Sequence, residues 1–111
     1  MLVGFYIFKG DGSTQYSPSF PRQGLAATFL AQALQRVGTT PSLTIGVEHR
    51  NRDETSFVNA SSFGAITNSG NPQTLDISAL KEEIRFSYTL TATNAWEGFL
   101  INILAPAWRP S

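Results

Sequence analysis

Residues 43–50 read Leu-Thr-Ile-Gly-Val-Glu-His-Arg, apolar and polar positions in alternation, and residues 84–91, Ile-Arg-Phe-Ser-Tyr-Thr-Leu-Thr, repeat the pattern. A period of two sends one set of side chains to a core and the other to solvent or a partner, so both runs read as half-buried β-strands.

The rest of the chain follows the same logic in short punctuated runs. Residues 2–8 are apolar and rich in aromatic and β-branched types, which suits a strand covered on both faces. Glycines and Asp11 make residues 9–14 a turn or short loop. Two prolines in 16–21 call for extended chain along an edge. Residues 24–37 are ambiguous. Leu25, Phe29, Ala33 or Leu34, and Val37 sit at helical spacing, and alanine and glutamine favour a helix. Yet Ala27, Phe29, Ala31 and Ala33 also alternate against Thr28, Leu30, Gln32 and Leu34. The turn-like residues 38–42 and the strand after them favour a strand over 26–37, the first arm of a long hairpin.

Beyond residue 50, short strands are expected after 52–58, within 61–67 and over 74–77, with a loop at 68–72. Residues 80–83 suit a single helical turn before a strand over 83–92. Thr93 and Asn94 form a corner, and 95–104 is the last strand. The prolines of 105–110 predict an extended tail that joins neither a helix nor a central strand. About eight strands at intervals of roughly ten residues describe one all-β sandwich over residues 1–111, jelly-roll-like, with 105–111 as its tail.

Composition narrows the function. The 111 residues suffice for one domain with its own core. Without cysteine, a disulfide scaffold and a thiolate zinc site are excluded. Eight basic residues balance eight acidic ones, whereas a nucleic-acid binder normally carries a basic excess, so direct nucleic-acid contact is not expected. Charged residues are 14% of the chain, below the roughly 25% usual for soluble domains. A surface so poor in charge suits burial in an assembly. The basic set is six arginines and two lysines, and arginine is the cation favoured at protein interfaces. No apolar run approaches the roughly 20 residues that span a bilayer, and no basic stretch precedes the first apolar run, so neither a membrane anchor nor secretion is expected.

Catalytic chemistry finds little material. His49 is the single histidine, so no triad has its base and no metal site gains more than one imidazole; parity with Leu43, Ile45 and Val47 turns it inward. Glu82 and Glu83 are adjacent and would face opposite ways on a strand. Residues 9–12 lack the spacing of a phosphate loop, and Asp11, Asp53 and Asp76 lack that of a calcium loop. The chain is therefore read as a non-enzyme without cofactor or metal. What stands out is Glu48, Arg50, Arg52, Asp53 and Glu54, five charges within seven residues, and Trp108-Arg109 on the proline-flanked tail. Glu48 and Arg50 share the outward face by parity, and tryptophan and arginine dominate interface hot spots. Arg22, Glu48, Arg50, Arg52, Trp108 and Arg109 are the candidate contact residues; a solvated strand end and a tryptophan folded onto its own domain are the plainer readings of the two clusters.

The stretches Phe20-Pro-Arg-Gln-Gly24, Val47-Glu-His-Arg-Asn51 and Ala105-Pro-Ala-Trp108 resemble those of small jelly-roll decoration, cement or minor capsid proteins of tailed bacteriophages. The likeness spans nearly the whole chain, with Arg50 where a lysine is expected. It implies a structural protein of the virion, assembled in the host cytoplasm, a homo-oligomer bound to the major capsid protein. A head–tail connector or tail component is the neighbouring reading. From another class, a carbohydrate-binding sandwich could stack sugars on Tyr16, Trp96 and Trp108.

Overall fold

A computed structural model describes residues 3–7, 11–70, 72–94 and 96–110. Its strands are β1 (Val3–Ile7), β2 (Asp11–Tyr16), β3 (Phe20–Pro21), β4 (Ala26–Val37), β5 (Ser42–Arg50), β6 (Val58–Ser62), β7 (Gln73–Ile77), β8 (Glu83–Thr91), β9 (Gly98–Ile103) and β10 (Ala107–Arg109). They form two antiparallel five-stranded sheets, and no helix occurs among the described residues.

The register shows how ten segments fill eight strand positions. Ala27 pairs with Ile77 of β7 and with Trp108 of β10, while Ala31 pairs with Gln73 of β7 and Ile103 of β9. A strand has two hydrogen-bonding edges, so β9 and β10 share one edge of β4 and β7 holds the other. In the second sheet β2 and β3 likewise share the edge of β8 opposite β5. The first sheet therefore runs β1, β9 with β10, β4, β7. The second runs β2 with β3, β8, β5, β6. The chain crosses repeatedly from one sheet to the other, the path of a jelly roll.

β4 resolves the helix–strand ambiguity. Ala27, Phe29, Ala31 and Ala33 are buried, and Leu34 at the register shift between Ala33 and Gln35 is exposed. Helix propensity separates ordinary residues by at most about 0.7 kcal/mol, whereas burying one phenylalanine contributes roughly 1.5–3 kcal/mol. The tertiary term wins. The alanines keep the inner face of β4 low, and Phe29 rises from it to meet Phe86 of the opposite sheet edge-on at 5.9 Å and Trp108 at 6.4 Å. Leu43, Ile45, Val47, Ile84, Leu90, Phe99 and Ile101 complete the core.

Several sequence expectations are corrected. Residues 11–14 belong to β2, and a register shift between Asp11 and Thr14 accommodates the glycine there; the turn expected at 9 and 10 lies outside the described residues. β6 ends at Ser62, and of 63–67 only Ile66 makes a bridge, to Leu43, because Phe63 and Ile66 turn into the core. Residues 80–83 form no helical turn. The Leu80 N–H bonds the Leu25 carbonyl and the Lys81 N–H bonds His49 Nδ1, so their donors are committed across the fold. The tail is a strand: with Pro106 and Pro110 just outside it, β10 pairs with Ala26–Thr28 of the central strand β4.

One end of the sandwich is closed by a carboxylate. Glu97 is 1% exposed and accepts hydrogen bonds from the Thr40 N–H and hydroxyl, both at 2.7 Å, and from the Asn94 N–H and side-chain amide, both at 3.2 Å. Gly38, at φ 95°, makes room for it, since a Cβ there would lie 2.3 Å from Glu97 Cγ. The Thr40 N–H first, then its hydroxyl and the Asn94 donors, hold the Glu97 pKa down to about 2 against the opposing effect of burial. The turn after β4 and the turn after β8 are thereby tied together.

Phe29→Ala should lower unfolding free energy by about 3–5 kcal/mol, read by urea denaturation, while Leu34→Ala should change it little. The Glu97 clamp predicts a sign with pH. Its folded pKa lies below the ordinary glutamate value of 4.5, so its contribution is fully present above that value and is lost as pH falls toward about 2. Glu97→Gln should reduce the melting temperature at pH 7 and shrink the further loss seen on acidification.

Candidate functional site

Two of the three motif stretches, residues 20–24 and 47–51, meet at one end of the sandwich around residues 79–83, and the third runs along β4. Arg22 donates from Nη1 to the Leu80 carbonyl, and its N–H bonds the Glu82 carbonyl at 3.0 Å. Gly24 allows β10 to close in, because a Cβ on it would sit 2.4 Å from the Arg109 carbonyl oxygen. His49 accepts the Lys81 N–H at Nδ1, which leaves its proton on Nε2. Burial first, then the Lys81 charge, lower the His49 pKa, and Glu54 opposes them. His49 is thus a neutral rim residue that orients a loop. Ala79, at φ 55°, is the non-glycine residue with positive φ among the described residues, and it starts this segment.

The charged cluster is an intrachain network. Glu48 pairs with Arg85 at 2.7 Å, Arg50 with Glu83 at 3.1 Å, and Glu54 with Lys81 at 3.1 Å. The first two follow from the ladder, since Glu48 is opposite Arg85 and Arg50 opposite Glu83 in the β5–β8 register. Arg52 engages through its backbone N–H, which bonds Glu82 Oε1 at 3.0 Å, while its side chain is exposed beside Asp53. The Glu54 pKa is lowered, chiefly by the Asn51 N–H and then by Lys81.

The tail residues also find partners at home. Trp108 is half-buried against Phe29, and Arg109 Nη1 bonds Thr28 Oγ1 at 2.6 Å and lies 3.7 Å from Asp76. Of the six candidate contact residues, Arg22, Glu48, Arg50, Trp108 and Arg109 therefore make specific side-chain contacts within the chain.

Two surfaces remain open. On the outer face of the first sheet, Leu30, Leu34, Leu100 and Leu104 point away from the core, with Leu34 and Leu104 46% and 39% exposed. On the outer face of the second sheet, Thr14, Thr89 and Thr44 stand side by side across β2, β8 and β5, and Tyr16, Ser87, Gly46 and Ser62 form the next row. Arg85 Cζ lies 3.9 Å from the centroid of Tyr16 and 4.2 Å from that of Phe57, and Arg50 Cζ lies 4.8 Å from Phe57. Sequence reasoning missed Arg85 and Phe57: the loop over 51–57 that brings Phe57 to Arg85 has no periodicity to reveal it. The Arg85–Glu48 register was derivable from the two alternating strands had their pairing been known.

The aromatic residues of the sugar-platform reading are dispersed. Tyr16 lies on the outer face of the second sheet, Trp108 packs on the core, and Trp96, 61% exposed, stands in the turn before β9. A cleft of about 180 Å³ between β4, β7 and residues 65–70 is lined by Ala31, Ala33, Ile66, Asn68 and Gln73 and carries no titratable group. Among the described residues no three metal-ligating side chains cluster, and no helix is long and apolar enough to cross a membrane.

The network predicts that Arg50→Glu destabilises the isolated chain by at least about 1 kcal/mol, because it sets a carboxylate against Glu83 in a half-buried ladder. The double variant Arg50→Glu/Glu83→Arg should recover part of that loss in thermal melts.

No family model matches this chain, and no curated protein matches it in sequence. Among solved structures it is similar to a family two carbohydrate esterase from Cellvibrio japonicus, at 11% identity and a TM-score of 0.34, over 100% of this chain and 36% of that one. The chain thus spans about a third of the length of that enzyme.

Proposed function

We propose that this chain is a non-catalytic jelly-roll module that works by protein–protein contact, as a decoration or cement protein on the shell of a tailed-phage capsid. The observation that carries the reading is the division of its surface chemistry. The arginines and glutamates that pair do so within the chain, while Leu30, Leu34, Leu100 and Leu104 face outward on one sheet. Desolvating already-paired charges gains little, whereas covering apolar area contributes roughly 25 cal/mol per Å². A lattice that covers the first sheet gains binding energy there, and the partners are the major capsid protein and further copies of the chain. The motif resemblance supports the same reading, and the Arg22 and His49 contacts give two of those motifs a role in fixing residues 80–82.

Light scattering coupled to size-exclusion chromatography, and sedimentation with shells of the phage or prophage whose genome encodes the chain, test this. The expected result is an oligomer at micromolar concentration or co-sedimentation with shells. Leu34→Asp/Leu104→Asp should abolish either one without lowering the melting temperature by more than a few degrees. A protein that stays monomeric and never co-sediments overturns the reading.

A further inference from the structure

We infer that residues 79–82 form an acid-released latch whose catch is the neutral imidazole of His49. The Lys81 N–H donates to His49 Nδ1 at 3.2 Å. A ring nitrogen accepts a hydrogen bond only while it carries no proton. The imidazolium is a donor at both nitrogens, so it must give this bond up. His49 is the single histidine of the chain, and histidine is the side chain whose ordinary pKa puts its charge change between pH 5 and 8.

The charges around the ring set the direction. From residues 79–82 the Lys81 ammonium acts on it, and from the loop over 51–57 the Glu54 carboxylate does. In the ladder it lies between Ile84 of β8 and Val58 of β6, which carry no charge. Glu48 and Arg50, its charged neighbours on β5, are paired with Arg85 and Glu83. Burial first and then Lys81 favour the neutral ring, against Glu54. Protonation therefore sets two cations, His49 and Lys81, beside one carboxylate that Lys81 already holds at 3.1 Å.

The segment has reason to yield there. It starts at Ala79, at φ 55°, in the left-handed region that is strained for a residue with a Cβ. The Leu80 N–H donates to the Leu25 carbonyl, Arg22 donates to the Leu80 and Glu82 carbonyls, and the Arg52 N–H donates to Glu82 Oε1. Of the segment's ties among the described residues, the Lys81–His49 bond is the one whose acceptor is an imidazole. Leu80, 1% exposed, stays anchored in the core, so the movement is a loosening around Lys81 and not an ejection of the segment. The loop over 51–57 loosens with it, because Glu54 closes that loop on the Asn51 N–H and Phe57 lies over Arg85 and Arg50. The folded pKa of His49 lies below the ordinary 6.5, so the latch is closed above that value and opens as pH falls below it.

NMR of the isotope-labelled full chain tests the inference. At pH 7.5 the ring nitrogen shifts should show Nδ1 bare and the proton on Nε2. Between pH 7.5 and 5.0 the exchange protection of the Lys81 amide, corrected for intrinsic rates, should fall at least about threefold in step with ring protonation. Protection at Phe99 and Ile101 in the core should hold. His49→Asn places Oδ1, an acceptor that does not titrate, close to the position of Nδ1, and should remove the pH dependence. His49→Leu has no acceptor and should leave the Lys81 amide weakly protected at both pH values. A proton on Nδ1 at pH 7.5, Lys81 protection that does not change with pH, or a pH dependence that persists in His49→Asn overturns the inference. The first two are read on the unaltered chain and need no variant to fold. No shell is present in the measurement, so the latch and the capsid reading fail independently.

Discussion

Phe29 is the residue on which the two sheets depend. It rises from a strand whose other inward residues are alanines, so the sheets approach closely on either side of it, and its ring fills the central gap. Phe86 meets it from the opposite sheet and Trp108 from the end of the chain, both edge-on, the geometry that aromatic quadrupoles favour. Through Trp108 the last strand is held on β4, and through Phe86 so is the centre of β8. The segments around residues 29, 86 and 108 are thus ordered by one side chain.

The polar groups at the two ends of the sandwich limit how the sheets can slide. At one end Glu97 ties two turns by hydrogen bonds; the buried carboxylate has no cation beside it among the described residues and is stabilised by four donors. At the other, residues 79–83 receive Arg22, His49, Arg50 and Arg52 or their backbone groups. The charges placed there lie on their own ladder partners, which is why a chain so short of charge still keeps a half-buried ionic network. Such pairs contribute modestly to stability, about 0–1 kcal/mol each when exposed, but they fix which strand faces which.

This arrangement bears on function through what it leaves free. With Arg22, Arg50, Arg85 and Arg109 engaged within the chain, the first sheet presents leucines and the second presents hydroxyls.

The class of fold and the inner face of each long strand were legible in the order of residues alone. Alternation at 43–50, 84–91 and 26–37 is a property of neighbouring residues, and a period of two survives in any β context. It also turned His49 toward the inner side of its strand and found the charged cluster. Only the tertiary structure decided the rest. Whether Trp108 and Arg109 face outward or home depended on β10 pairing with β4, and the prolines beside it argued for a loose tail; the pairing is possible because Pro106 and Pro110 fall outside the three bonded residues and Gly24 admits the strand. Whether Glu48 and Arg50 meet a neighbouring molecule or their own chain depended on the register of β5 against β8, set by contacts forty residues apart. The covering of Gly46 belongs to the same class, because it is made by side chains from β6 and β8 that share no local pattern with it. Local periodicity records which way a side chain points, and only long-range pairing records what it finds there.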